Sequence, residues 1–126
     1  MPSVVDAMRG GCVLCLIAMG GLACAQPVVR EQRLTTPMGL TLYAFANDVV
    51  GSGKSACYAP CSNLHPPYLV EQGANATADF SIIERTDGTK QWAHKGRPLY
   101  LWIYDQKPGD AGADGMNRGI WQIAKP

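Results

Sequence analysis

Short apolar runs broken by turn residues, with no sustained 3.6-residue period, set the pattern of this chain and favour strands over helices. Residues 40–46 (Leu-Thr-Leu-Tyr-Ala-Phe-Ala) form one such run, closed by Asn47-Asp48 and the glycines Gly51 and Gly53. Residues 80–85 (Phe-Ser-Ile-Ile-Glu-Arg) face residues 89–92 across Asp87-Gly88, a strong hairpin signal. Lys95-Gly96 then turns the chain into residues 98–104 (Pro-Leu-Tyr-Leu-Trp-Ile-Tyr), which completes a three-stranded antiparallel meander, and residues 120–124 make a last short strand. Residues 57–72 read as a compact loop with one or two helical turns, and the Gly- and Asp-rich residues 106–119 as a loop without apolar period.

The first and fourth runs are copies of one another. Gly39-Leu-Thr-Leu-Tyr-Ala-Phe-Ala-Asn-Asp48 aligns without gaps on Gly96-Arg-Pro-Leu-Tyr-Leu-Trp-Ile-Tyr-Asp105, at an offset of 57 residues. Both read Gly-x-x-Leu-Tyr-x-aromatic-x-x-Asp, which implies a duplicated supersecondary unit, with repeats near 39–53 and 96–110. Because alternate strand residues share a face, Tyr43 and Phe45 oppose Leu42, Ala44 and Ala46, while Tyr100, Trp102 and Tyr104 oppose Leu99, Leu101 and Ile103. Both faces are apolar, so these aromatics are expected in a core covered on two sides; the alternative is an open aromatic face that stacks on sugar rings or a partner protein. Asp48 and Asp105, each just past its strand, are expected to bond turn amides rather than act as acids.

The N-terminus changes what counts as the folded chain. Residues 12–25 are an uncharged run of fourteen after Arg9, too short to span a bilayer but suited to a secretory leader. Ala23-Cys24-Ala25 has the small-x-small form of a cleavage site, so residues 1–25 are expected to be a signal peptide and Gln26 the first of 101 mature residues. Leu22-Ala23-Cys24 competes as the end of a lipobox with Cys24 as the lipidated residue, and Met8 competes with Met1 as the start. Gly and Pro make up 23 of 126 residues, about 18%, in keeping with dense turns, and the net charge of +1 disfavours nucleic-acid binding.

Loss of the leader reduces five cysteines to Cys57 and Cys61, whose spacing in an exported chain predicts a local disulfide, with residues i and i+4 brought together by one helical turn. The rival reading is a periplasmic copper-handling or thiol-redox protein using Cys57, Cys61 and His65, with Met38 or Met116 as thioether ligands. Zinc is disfavoured because Cys57, Cys61, His65 and His94 match no finger spacing. Val49–Ser55 resembles the end of a phosphate-binding loop, but Asp48 stands where its first glycine belongs and repels phosphate. Asp105, Asp110, Asp114 and Asn117 carry oxygen ligands at spacings that miss the calcium-loop pattern, Asn75-Ala-Thr77 is a glycosylation sequon only in a suitable host, and no hydrolase motif is present. No cofactor, metal or enzymatic activity is expected.

The motif pair Tyr43-Ala-Phe45-Ala-Asn-Asp48 and Tyr100-Leu-Trp102-Ile-Tyr-Asp105 resembles the Tyr-x-(Phe/Trp/Tyr)-x-x-Asp signature of the secreted-repeat family of predicted bacterial lipoproteins. The likeness extends through Cys57-x-x-x-Cys61, His65-Pro66-Pro67-Tyr68, Asp87-Gly88-Thr89-Lys90-Gln91 and Pro108-Gly109-Asp110 to Trp121, over residues 34–124. His65 stands where the family commonly has Trp before two prolines. The resemblance implies an exported, often lipid-anchored protein of unassigned biochemical function, located in the bacterial periplasm or cell envelope. The expected fold is all-β: a small antiparallel sandwich or barrel-like domain of two related motifs over residues 34–126, with short helical turns in the cysteine loop. A linker (26–33) and a cleavable signal helix precede it. The expected function is a non-catalytic binding or structural module. Its partner would be an unidentified envelope protein or glycan, and membrane contact would come only through Cys24.

Overall fold

The computed structural model describes residues 25–126; the expected leader, its cleavage site and the lipidation candidate Cys24 fall largely outside them. The elements in chain order are β1 (Val28–Arg30), β2 (Arg33–Thr35), β3 (Tyr43–Phe45), α1 (Cys61–Leu64), β4 (Phe80–Glu84), β5 (Lys90–His94), β6 (Arg97–Tyr100), α2 (Met116–Gly119) and β7 (Trp121–Ile123). They form two antiparallel sheets, β1-β2 and β4-β5-β6-β3-β7. The expected all-β antiparallel architecture is present; the five-stranded sheet ends at β4 and β7, so it does not close into a barrel. Among the described residues no helix is long and apolar enough to cross a membrane.

The meander forms where the turn chemistry placed it. Ile82 pairs with Trp92, and the hairpin closes at Asp87, whose carboxylate accepts the Thr89 amide and hydroxyl at 3.0 and 2.6 Å. Lys95 and Gly96 both adopt positive φ (49° and 82°), the conformation of a tight two-residue hairpin turn. Residues 26–33, expected as a linker, hold β1 and the turn Glu31-Gln32, also at positive φ (50° and 66°), which carries no glycine or asparagine to announce it. The fourth run is shorter than expected: β6 stops at Tyr100 and the chain bends at Trp102–Asp105, where the Asp105 amide donates to the Trp102 carbonyl at 3.1 Å.

The sequence repeat is a repeat of hydrogen bonds. Tyr43 lies directly opposite Tyr100 in the β3–β6 ladder, so equivalent positions of the two copies meet at its centre. On one side the Tyr68 amide donates to the Leu99 carbonyl (3.0 Å) and the Trp92 amide to the Tyr68 carbonyl (2.9 Å). On the other the Ala124 amide donates to Leu42 and the Leu34 amide to Ala124, both at 2.9 Å. Residues 66–70 of the first half thus run between strands of the second, and the end of β7 returns the exchange. Each half supplies the strand that completes the other.

The central ribbon is covered on both faces, as its apolar alternation predicts. Leu42, Leu99 and Leu101 pack with Leu34, Tyr68, Trp92 and Ala124, whereas Tyr43 and Tyr100 pack with Cys57, Ala113 and Trp121. The glycine that opens each motif sits against the far loop of the other half. A Cβ on Gly96 would lie 2.8 Å from the Gly51 nitrogen, and one on Gly39 would lie 3.0 Å from the Pro108 side chain.

Candidate functional site

The repeated Tyr and Asp meet crosswise. The Tyr43 hydroxyl donates to Asp105 at 2.5 Å, and the Tyr100 hydroxyl donates to Asp48 at 2.7 Å, so each tyrosine is bound by the aspartate of the other copy. The second oxygens accept loop amides, Ala56 to Asp48 at 2.6 Å and Gly112 to Asp105 at 3.0 Å. These amides lie eight and seven residues beyond their acceptors, so the carboxylates anchor whole loops rather than Asx turns. Burial is the main cause that raises the pKa of both phenols, reinforced by the acceptor carboxylate, and burial also raises that of Asp48 against the pull of Tyr100, Ala56 and Arg85. Hydrogen bonds to a charged partner are worth about 1.5–3 kcal/mol each, so the crossed pairs are strong ties between the halves.

One of the two pairs belongs to a larger buried network that the sequence did not announce. Ser55 Oγ lies 2.7 Å from the Tyr100 hydroxyl and accepts from Arg85 Nη1 at 3.1 Å. The guanidinium also donates to Gln91 Oε1 (2.8 Å) and the Cys57 carbonyl (2.7 Å), and it lies 4.3 Å from the Tyr58 ring centre. Arg85 reads in sequence as a strand end and Gln91 as a position within the next strand, and the residue at Ser55's place in the second copy is Gly112, so no repeat pattern marks the network.

Cys57 and Cys61 form a disulfide with Cα atoms 5.3 Å apart. The expected helical turn between them is displaced: α1 begins at Cys61, and the bridge closes the loop leading into it. The thiolates a copper site needs are therefore spent, and the third candidate ligand, His65, is held by rings. His65 stacks on Trp121 (3.7 Å, 9°) and lies 4.8 Å from Trp102; its Nδ1 is buried without a hydrogen-bond partner. Burial lowers its pKa. His65 thus fills the slot of a flat ring, which agrees with the tryptophan the resemblance puts there.

The remaining candidates are dispersed. Asp105 serves Tyr43 and Gly112, Asp110 serves Gln106 and Lys107, and Asp114 accepts the Ile123 amide at 3.0 Å. Among the described residues no group of three or more His, Cys, Asp or Glu is placed to hold a metal ion. The loop Val49–Ser55 leans on the Lys95-Gly96 turn through the Gly51 amide, 2.9 Å from the Gly96 carbonyl. A cleft of about 440 Å³ between residues 69–74 and the β4–β5 hairpin is lined by Leu69, Val70, Glu71, Ile82, Thr89 and Lys90 and brings together no acid–base set.

Of the motif aromatics, Tyr43 and Tyr100 are core, while Phe45 and Trp102 are half-buried. Trp102 continues into exposed Tyr104 at 5.2 Å, edge to face. Beside them Ile103, whose amide donates to the Leu64 carbonyl at 3.1 Å, and Leu64 itself are exposed. Exposed aromatic and aliphatic side chains therefore stand where β6 was expected to continue.

The fold and the crossed Tyr–Asp pairs define a duplicated, disulfide-braced β module. Residues 81–125, which make up most of its second half, match the family model described as a secreted repeat of unknown function, the family that the motif resembles. That description supports an exported protein. Neither the curated proteins nor the solved structures contain a significant match to the chain.

Proposed function

We propose that this chain is an exported, non-catalytic recognition module of the bacterial cell envelope, and that it meets its partner through the patch of Leu64, Trp102, Ile103 and Tyr104. The observation that carries the reading is the contrast between inside and outside. Tyr43, Tyr100, Asp48 and Asp105 are committed to ties between the two halves, whereas the side chain of Tyr104, 64% exposed, makes only a ring contact with Trp102 among the described residues. The largest exposed apolar patch of a soluble domain is often its contact site. Hydroxyl-radical footprinting compares the protein in intact cells with the purified protein: protection of Trp102 and Tyr104 in cells is expected, and equal labelling in both settings would sink the reading.

Location in the periplasm or envelope belongs to the same proposal, with a specific observation on processing. The Tyr68 hydroxyl donates to the Ala25 carbonyl at 2.7 Å, a contact that survives if Cys24 becomes the lipidated first residue and is lost if cleavage follows Ala25. Retention of Cys24 is expected, so the intact mass of the mature protein should include it together with its lipid; a mass beginning at Gln26 would refute this part.

A further inference from the structure

The exposed patch is the end of a ladder of rings. Phe45 stacks on Trp121 (4.4 Å, 16°), Trp121 on His65 (3.7 Å, 9°), His65 leans on Trp102 (4.8 Å, 33°), and Trp102 meets Tyr104 edge to face at 5.2 Å. Exposure runs from 2% at Trp121 and 4% at His65 to 64% at Tyr104. Within the ladder His65 keeps its Nδ1 buried and unpaired, so stacking rather than hydrogen bonding holds the ring that supports Trp102. The other edge of the indole is fixed by Gly112, where a Cβ would come within 2.9 Å of Trp102 Nε1. The outer indole is thus set in place before any ligand arrives, which removes an ordering cost from binding.

We propose that the exposed ring of Tyr104, backed edge to face by Trp102, is a stacking surface for a neutral sugar ring. This rests on the reading of their patch as the contact surface and names its ligand class. Two features favour a sugar over a protein. An aromatic side chain offers about 150–250 Å², so the half-buried Trp102, Tyr104 and their two aliphatic neighbours expose roughly 300 Å² together, well short of the about 800 Å² each partner of a stable protein complex buries. The four side chains of the patch carry no charge, so they do not select an ionic polymer. A pyranose suits this surface because its C–H face is apolar, whereas its rim hydroxyls stay in water or meet the Tyr104 hydroxyl, which makes no bond within the described residues.

The test is titration of the ¹⁵N-labelled mature protein with N-acetylglucosamine trisaccharide and, separately, maltotriose, to about 20 mM, the range of weak platform binding. A saturable shift of the Trp102 indole resonance with at least one sugar is expected, with the buried Trp92 indole unmoved. Tyr104→Ala, at an exposed position that leaves the fold intact, should weaken binding about tenfold, and Tyr104→Trp should restore it. Absence of a Trp102 shift with both sugars, or shifts unchanged in Tyr104→Ala, overturns the inference. If neither sugar binds but the patch is protected in cells, the contact surface stands and its ligand is not a sugar; if neither sugar binds and protection is also absent, both readings fall.

Discussion

At the scale of single residues, the motif's Tyr and Asp are explained by each other across the duplication. Removing the Tyr100 hydroxyl leaves the buried Asp48 carboxylate without its shortest side-chain donor, so Tyr100→Phe should cost about 2–3 kcal/mol in urea unfolding. In a double-mutant cycle with Asp48→Asn the losses should not add; additive losses would mean the crossed bond is not what the motif maintains. The histidines make a second prediction. Burial lowers the pKa of His65 and, with Lys95 nearby, of His94, so the fold prefers both rings neutral. Their contribution is complete above the ordinary value of 6.5 and is lost as the pH falls below it through the folded pKa. Asp48, raised by burial, works in the opposite sense, and its share of stability grows as pH falls towards its own range. Thermal melts at pH 7 and 5 should therefore show a smaller acid loss in His65→Phe, which keeps a flat ring between Trp102 and Trp121 and discards the unpaired Nδ1; an unchanged acid loss would assign it elsewhere.

At the scale of elements, the turns do more than reverse strands. The Lys95-Gly96 turn was legible from its dipeptide, but its second role was not: it is the floor on which the Val49–Ser55 loop rests. Gly96→Ala must place a side chain at φ 82° and within 2.8 Å of a backbone nitrogen, and it should destabilise by about 1–3 kcal/mol. Gly39→Ala meets the side chain of Pro108 at 3.0 Å and also sits at positive φ, but its contact is longer and falls on a side chain rather than on backbone, so its loss in the same denaturation assay should be the smaller. A reversed order would mean that loop packing on the turn contributes little. The end of β6 has a comparable cause. Beyond Tyr100 the strand's apolar alternation continues in sequence, but the Leu101 and Ile103 amides donate to Pro66 and Leu64 in the other half, and the chain follows that segment into the bend that exposes Tyr104.

At the scale of the whole molecule, the mutual exchange of strands makes the halves one folding unit. Removal of residues 120–126 deletes β7 and the Ala124 contacts that fill the space between Leu34 and Leu42, so the first half should lose its order together with the second. Near-ultraviolet circular dichroism should show loss of all fixed tertiary signal on this truncation; a surviving folded N-terminal half would refute the exchange as a stabilising device. By itself the sequence determined the things that depend on neighbours along the chain. These are the positions of β3 to β7 to within a few residues, the glycine-marked turns, the Asp87-Gly88 hairpin, the two-sided burial of the motif strands, the nearness of Cys57 and Cys61, and the existence of two copies 57 residues apart. Only the tertiary structure decided how the copies meet. Crossed Tyr–Asp bonds, exchanged closing strands, the buried Arg85 between Ser55, Gln91 and Cys57, and the ring slot of His65 join residues tens of positions apart, or residues whose side chains point together only after folding. The physical reason is that periodicity and turn chemistry report local backbone preference. A hydrogen bond between repeats depends on the register in which β3 lies against β6, and no residue type encodes that register alone.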